Sequence, residues 1–585
     1  MTTLPDRWVT DTIPNRKFTI WSRGNAGEIY PDPITPLSGT SIFLGPGEKG
    51  YQDAMVQPGT MRYDEFDPGT PNNVMASFGG YLYLNMSISR LFGVRCPGMT
   101  PEMVDQQYYG ELTGIPSYAS EARPGDVDPE AEARLAAWIG TWVFGSSEIP
   151  ELMQHRTQVL RMIEQLGTHA AMTEAQLQER MHAFDLIYRA IFGLHIKVSA
   201  AVGFGIGTVN GVCQAIGQPQ LPMTLIAGVG DVDSAAPSHA MWAMARTIDS
   251  DPALTAAFDA GVHGALDRIA ELQGGAADTF RAQLADFIAR FGSRGPNEWE
   301  LRSKVWGTHP EVALAAVDRM RHMADSDSPS AHEHQRTTER EAATAAVQSA
   351  LAEAPDALAQ FNGGLQCSLV MGAARERCKT TLILIIHDLR QTALELAKRW
   401  VADGLMQRAD LVFMLTNDEL RVYRDDAERL QRIAIEREEQ YLKLFELEPP
   451  FIVVGETPPL SQWTRRDEHL TTKIGAGDLL SGIPGCAGVA RGRARIILDA
   501  SDPFALEPGD ILIAPQTDPA WTPLFVPAAA VVVDVGAQIT HAVIVSRELG
   551  IPCVVSVTDA TRKLTDGALI EVDGAAGTVT VIEMP

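Results

Sequence analysis

The residues best suited to chemistry are one histidine and a pair of cations far from it in the chain. Near the C-terminus the run AAVVVDVGAQITHAVIVSRELGIPCVV reads as a strand over 530–535, a glycine-containing turn, a helix starting near Thr540 and His541, and a strand from Cys553. The first turn of a helix leaves backbone N–H groups unpaired at the positive end of the dipole, which suits a phosphoryl group. Gly536 lets the chain turn tightly, and Thr540 can cap the helix or bond a phosphate oxygen. Neutral imidazole is a nucleophile at physiological pH, and its phosphoramidate passes the group on readily. A histidine at a helix start is equally an ordinary cap, and the chain has 13 histidines, so position alone does not select His541. Arg375 and Lys379 stand four apart in a helical stretch and share a face. They can hold a phosphoryl group in flight, or form a solvated basic face with Glu376 and Arg377. His387, further along, is either a base toward an acceptor or a helix-packing residue.

These residues need a large scaffold. The chain has 585 residues, enough for roughly two to four domains. Hydrophobic residues make up 45% and charged residues 21%, as in ordinary globular proteins. The net charge of −26 argues against nucleic acid and anionic membrane as partners, since both reward clustered basic charge. Six scattered cysteines form no CxxC pair, which suits a reduced, cytoplasmic chain. The opening MTTLPDRWVTDTIPNRKF lacks the apolar stretch of a signal peptide. No apolar run reaches about 18 residues, so no membrane span is expected. His332 and His334 have no further clustered ligands, and no metal site is expected.

Residues 1–75 are rich in Pro, Gly and Asp and read as a loop-heavy opening with short strands. From about 76 to 450 the three- and four-residue apolar spacing is helical, for example over 151–166, 174–200, 252–292, 338–360 and 366–403. The polar stretch 324–340 reads as a solvated connection. After 450 the pattern changes to short β-branched runs, ARIIL, DILIA, AAVVVDV, PCVVSV and ALIEVDG, separated by turn signals. The expected architecture is multidomain: a mostly α-helical domain over 1–451, a linker or hinge over 452–482, and a small C-terminal α/β domain over 483–585. The stretches 78–93 and 227–246 carry aromatic and methionine residues that form either core or an apolar acceptor pocket.

Residues 536–552, through Gly536, Thr540, His541, Ala542, Ile544, Val545, Arg547, Glu548, Gly550, Ile551 and Pro552, resemble the phosphohistidine signature of the phosphoenolpyruvate-utilising enzymes. APQTDPAWTPLF resembles the segment that precedes it in that family, and GIPGCAGVARGRARI its glycine-rich entry strand. The chain departs from the pattern at Ala537, where the family has glycine, and at Ser546, where it has alanine. More weakly, and in order, 15–450 is similar to the substrate region of rifampicin phosphotransferase and its relatives, through NAGEIYPDPITPLSGTS, FIARFGSRGPNEWELRSKVW and the ARERCK helix.

The resemblance implies a swivelling phosphohistidine domain in which His541 carries the group, supported by Thr540, Gly536 and Arg547, with Arg375 and Lys379 beside the phosphoryl group. It nominates Thr35, Ser38, Arg294, Glu298 and His387 for the acceptor side, where Thr35 and Ser38 can equally be a plain turn and Arg294 and Glu298 a structural ion pair. No glycine-rich phosphate loop or nucleotide-binding region is recognisable. The histidine subunit of phenylphosphate synthase has this order of parts, with ATP bound by another subunit. The expectation is therefore a dikinase-type phosphotransferase component, fed by a separate ATP-grasp partner with Mg²⁺ on the ATP, acting on a hydroxyl of a small organic acceptor. A regulatory or scaffold homologue without transfer, and a relay fed by phosphoenolpyruvate, are the competing readings.

Overall fold

The computed structural model describes residues 4–109, 114–226, 236–466, 473–498, 505–517, 521–525, 527–536 and 541–585. Six helices carry the argument: α1 (Asp185–Ala215), α2 (Gly275–Phe291), α3 (Pro329–Ala350), α4 (Pro355–Ala402), α5 (Ala427–Leu444) and α6 (His541–Leu549). The chain forms two compact units, one of residues 1–204, 299–302 and 370–470, the other of residues 205–298, 303–369 and 471–585.

In the first unit four short antiparallel strands, β1 (Ile20–Ser22), β2 (Met75–Phe78), β3 (Tyr81–Asn85) and β4 (Ile452–Val454), pair in the order β2-β3-β1-β4. Trp21 stands opposite both Asn85 and Val453, so distant parts of the chain meet in one sheet. FGGYLYLN is thus two buried strands around a turn, where its aromatic residues are core. The opening is less loop-like than its composition suggests. Pro36–Val56 is helical throughout, including a wide π-helical turn over Gly39–Gly47. Buried Glu48 ties it to β2 by accepting the N–H groups of Asn73 and Met75, each at 2.7 Å.

The first half of α1 and the second half of α4 run antiparallel in this unit. Trp400 Nε1 donates to Glu174 at 2.9 Å, just upstream of α1, and Arg180 grips Asp388 through Nε at 2.8 Å and Nη2 at 2.5 Å. Glu174–Ala215 is long and apolar enough to cross a membrane by length and composition, and half of its most apolar window is buried against the protein. The segment after α4 is a 3₁₀ helix, Ala409–Met414. Its four apolar residues from Leu411 are buried all round, which a helical turn accommodates as readily as a strand.

In the second unit α1 and α4 approach closely at glycines. A Cβ on Gly205 would meet Ser368 Oγ at 2.6 Å, and one on Gly364 would meet Thr208 at 2.7 Å. A helical cluster around Met241, Met244, Phe258, Phe280, Phe287, Trp306 and Leu314 forms a separate core. These methionines, drawn from the candidate pocket stretch, are therefore core, and 227–235 lie outside the described residues. Residues 329–340, read from sequence as a solvated connection, are the first turns of α3, capped by Ser328 and entered through Pro329. High polarity there reflects an exposed helix face rather than a loop.

The C-terminal part is one eight-stranded sheet in the order β5-β12-β11-β7-β8-β9-β10-β6. Its strands are β5 (Leu479–Ser481), β6 (Ile483–Cys486), β7 (Val489–Ile496), β8 (Ile511–Ala514), β9 (Ala530–Val533), β10 (Cys553–Val555), β11 (Leu569–Asp573) and β12 (Thr578–Glu583). β7 to β10 are parallel, and β8, β9 and β10 are buried along their whole length, each face of the sheet with its own core, which is why those three read as continuous apolar runs. α6 makes the crossover between β9 and β10. Of the expected hinge, 452–454 belong to the first sheet as β4, 479–481 to the second as β5, and 467–472 lie outside the described residues.

Candidate functional site

His541 is the first residue of α6, the helix that follows β9 in the chain. The first turn of a helix has unpaired N–H groups, and ligands of parallel sheets bind at the carboxyl ends of the strands. Thr540 and Ala537 lie outside the described residues, as does the side chain of His541. Gly536 closes the preceding turn, its carbonyl accepting from Ser556 Oγ at 2.5 Å. Arg547 is buried, and its Nε donates to the Gly485 carbonyl at 3.1 Å, pinning α6 to β6. Gly550 ends the helix at φ +72°, a conformation that favours glycine, with the Arg336 guanidinium of α3 packed where a Cβ would stand.

Sequence reasoning did not find Asp534, which follows β9 directly. Its carboxylate accepts from Thr561 N at 2.8 Å and from Thr561 Oγ1, and burial pushes its pKa up to about 6. VVVDV reads as uninterrupted strand, so nothing in the run marks Asp534 as a junction residue.

The acceptor-side candidates divide into closed and open groups. Thr35 and Ser38 are fully buried and serve a third residue, Glu300. Glu300 Oε1 accepts from Thr35 Oγ1 at 2.6 Å, from Ser38 Oγ at 2.7 Å and from Arg302 N at 3.0 Å, while Oε2 accepts from Thr35 N at 3.1 Å. Ser38 Oγ in turn accepts from Leu301 N at 3.0 Å. Arg390, buried on α4, donates to the carbonyls of Leu301 at 3.0 Å and Glu300 at 2.9 Å. Thr35 is also the N-cap of the helix Pro36–Ser38. Glu300, two residues from the nominated Glu298, was legible only as one of two carboxylates in NEWELR. In the second unit Arg294 Nε donates to Glu298 at 2.7 Å, and both are buried. His387 Nδ1 faces Arg390 Nη1 at 3.2 Å and so acts as acceptor, and burial with the Arg390 charge depresses the imidazole to about 3.

Arg375 and Lys379 sit half-buried on α4. Arg375 pairs with its neighbour Glu376 at 3.1 Å. Packed beside them from α1 is His195, a residue the sequence gave no reason to choose. It is 9% exposed, and its Nδ1 is buried with no hydrogen-bond partner. Burial first, then the charges of Arg375 and Lys379, depress its pKa to about 3, so it is neutral in water near neutrality. Aromatic rings line up beside it. Phe192 lies 6.4 Å and Trp299 6.3 Å from its centroid, Tyr30 lies 6.5 Å from Trp299, and Phe43 lies 4.5 Å from Tyr30. A cavity of about 350 Å³ opens in the same unit, lined by Thr40, Ser41 and Pro46 of the π-helical segment and by His182 and Arg189 from the α1 side. Among the described residues no cluster of three or more His, Cys, Asp or Glu could hold a metal ion.

The comparisons with known proteins fall on these two regions. The family model described as the rifampicin phosphotransferase fourth domain matches residues 195–376. The one described as the mobile domain of PEP-utilising enzymes matches residues 506–577. The prodigiosin synthesizing transferase PigC of Serratia marcescens is 26% identical over 98% of this chain and 64% of its own length. Rifampicin phosphotransferases of Streptomyces sviceus and Bacillus subtilis are 29% and 27% identical, each over 54% of this chain and 36% of their own length. The chain thus spans less than two thirds of the length of these relatives.

Proposed function

We propose, for a chain that belongs to the phosphoenolpyruvate-utilising enzyme family, that it is a phosphotransferase component in which His541 carries a phosphoryl group to a hydroxyl of a small organic acceptor. One observation carries the reading: His541 opens α6, the helix that follows the parallel strand β9, inside the segment that matches the family's mobile domain. A phosphoryl group on His541 would face the unpaired N–H groups of the first helical turn, where the helix dipole offsets its charge.

At the receiving end we assign Arg375 and Lys379, one helical turn apart on α4, to hold the group during transfer. Phosphoryl transfer asks little covalent chemistry of the protein and much positioning and charge neutralisation, which two cations on a rigid helix supply. The aromatic rings of Phe192 and Trp299 beside His195 fit an apolar or aromatic acceptor. Thr35 and Ser38 act here as the frame that fixes Glu300, and through it the Trp299–Arg302 turn. We further propose that a separate ATP-grasp protein loads His541, with Mg²⁺ arriving on the ATP, and that the histidine domain swivels between donor and acceptor.

A second reading rests on PigC, which aligns over nearly the whole chain and is named as a synthesizing transferase. The phosphorylated oxygen would then be a leaving group in a following condensation rather than part of the final product. Retention of phosphate in the product, or its release as orthophosphate, separates the two.

The test is intact mass after incubating the chain with ATP, Mg²⁺ and a candidate ATP-grasp partner, beside His541→Ala. One acid-labile phosphoryl group on the wild type alone is the expected result. No gain with ATP or with phosphoenolpyruvate, with or without the partner, sinks the carrier role and leaves a scaffold homologue.

A further inference from the structure

We infer that His195 is the hydrogen-bond acceptor for the acceptor hydroxyl, with Nδ1 as the atom that orients the hydroxyl and takes its proton. The inference rests on the phosphotransfer reading and adds the group that reading lacks. A hydroxyl that attacks phosphorus needs an acceptor for its proton within hydrogen-bond reach. Of the nominated candidates, Glu298 is held in a buried ion pair with Arg294 through Oε2 at 2.7 Å, and His387 Nδ1 faces Arg390 at 3.2 Å. Glu300 already accepts four donors.

His195 differs in three ways. It lies beside Arg375 and Lys379, where the phosphoryl group is to be held. Nδ1 is the ring nitrogen buried without a partner, and the Arg375 backbone acts on the ring in the sense that raises its pKa, so we assign the proton to Nε2 and the lone pair to Nδ1. That lone pair is buried and unpartnered, a condition that costs about 1–3 kcal/mol and persists in proteins where a ligand supplies the partner. Packing of Phe192 and Trp299 against the ring fixes its orientation.

The step balances simply. The hydroxyl oxygen bonds to phosphorus, the P–N bond to His541 breaks, and its electron pair stays with the His541 ring nitrogen. The hydroxyl proton goes to His195 Nδ1 and then to solvent. His541 leaves as neutral imidazole, its second nitrogen already protonated. Arrival of the phosphoryl dianion offsets the charges of Arg375 and Lys379, which relieves two of the causes that hold the His195 proton affinity down, though not its burial.

Two measurements on the full chain test this. The first is nitrogen NMR of histidine-labelled protein, with the His195 signals identified by their loss in His195→Asn. A neutral ring at neutral pH, protonated on Nε2 and bare on Nδ1, is expected. A proton on Nδ1, or a charged ring, overturns the assignment whatever becomes of the transfer reading. The second loads His541 with phosphoramidate and follows discharge to rifampicin or phenol as probe acceptors. His195→Ala and His195→Phe should load like wild type and transfer on the order of 100-fold more slowly, with KM little changed. His195→Asn, which places an amide oxygen near the position of Nδ1, should regain at least about tenfold of that loss. Wild-type transfer by His195→Ala overturns the proposal, and so does loss of loading together with transfer, which marks a structural residue. If the wild type neither loads nor transfers, the reading beneath falls, and the nitrogen spectrum alone decides the state of His195.

Discussion

Two polar clusters of the first unit are built from similar materials and treated in opposite ways. Around Glu300 the donors of Thr35, Ser38 and Arg302 converge on one carboxylate, and Arg390 closes the turn from behind. Around His195 a lone pair is left bare, beside two cations on α4. A closed cluster is what a fold needs to hold a turn in place, because each buried group left unpaired costs stability. An open cluster is tolerable only where something else completes it. The contrast turns a family resemblance into a physical proposal, in which Thr35 and Ser38 serve as frame and His195, Arg375 and Lys379 as site.

The sharpest way to break the contrast is Glu300→Ala. It strands the Thr35 and Ser38 hydroxyls and two backbone N–H groups in the interior, and should lower the unfolding free energy by about 3–5 kcal/mol. Urea denaturation measures this; a loss below about 1 kcal/mol means that the cluster is no frame. Arg375→Ala and Lys379→Ala should behave in reverse. Stability should stay within about 1 kcal/mol, since both are half-buried and Arg375 pairs only locally with Glu376, while transfer from His541 falls by about 10²–10³. Equal loss of stability in both sets of variants erases the distinction.

How much of this was legible in the sequence differs between the regions. The strand–turn–helix around His541 could be read because a parallel strand buried on both faces gives an unbroken β-branched run, and the turn signals on either side are local. β5 and β12 were not read: Leu479–Ser481 is short, and the pairing of the two strands with each other leaves no local mark. In the helical region, helix existence was plain and function was not. His195 lies among IFGLHIKVSA, where its apolar neighbours make it look like any core histidine. Its partner Arg375 is 180 residues away, a relation that only the antiparallel packing of α1 and α4 creates. Thr35 and Ser38 were found by resemblance, but their purpose depends on Glu300, which reaches them from across the fold.

Acid sharpens the contrast next. The His195 pKa is depressed from 6.5 to about 3, so below 6.5 the unfolded chain binds a proton that the folded chain refuses. Its contribution is complete above pH 6.5 and is lost as pH falls toward 3; at pH 5 the loss is about 2 kcal/mol. Asp534 works in the other sense. Its pKa is raised from 3.8 to about 6, so the folded state holds the extra proton and stability falls as pH rises through that window. Comparing wild type with His195→Asn isolates the first effect: the variant should lose less stability between pH 6.5 and 5. Parallel loss in both proteins refutes a buried neutral imidazole at this position.

The smallest expected effect tests the frame at a single atom. Thr35→Ser keeps the hydroxyl that donates to Glu300 Oε1 and gives up one buried methyl, at a cost of about 1 kcal/mol. Thr35→Val keeps the volume and removes the hydroxyl, leaving a lone pair of Glu300 unpaired and the helix Pro36–Ser38 without its cap. That should cost about 1–3 kcal/mol, so Val should be the worse of the two although it matches the shape more closely. Neither change should alter transfer once the protein is folded, because Thr35 is fully buried and its hydroxyl is engaged by Glu300. A Thr35→Val variant as stable as wild type but slow in transfer would reverse the assignment and put Thr35 at the acceptor, where the family resemblance had placed it.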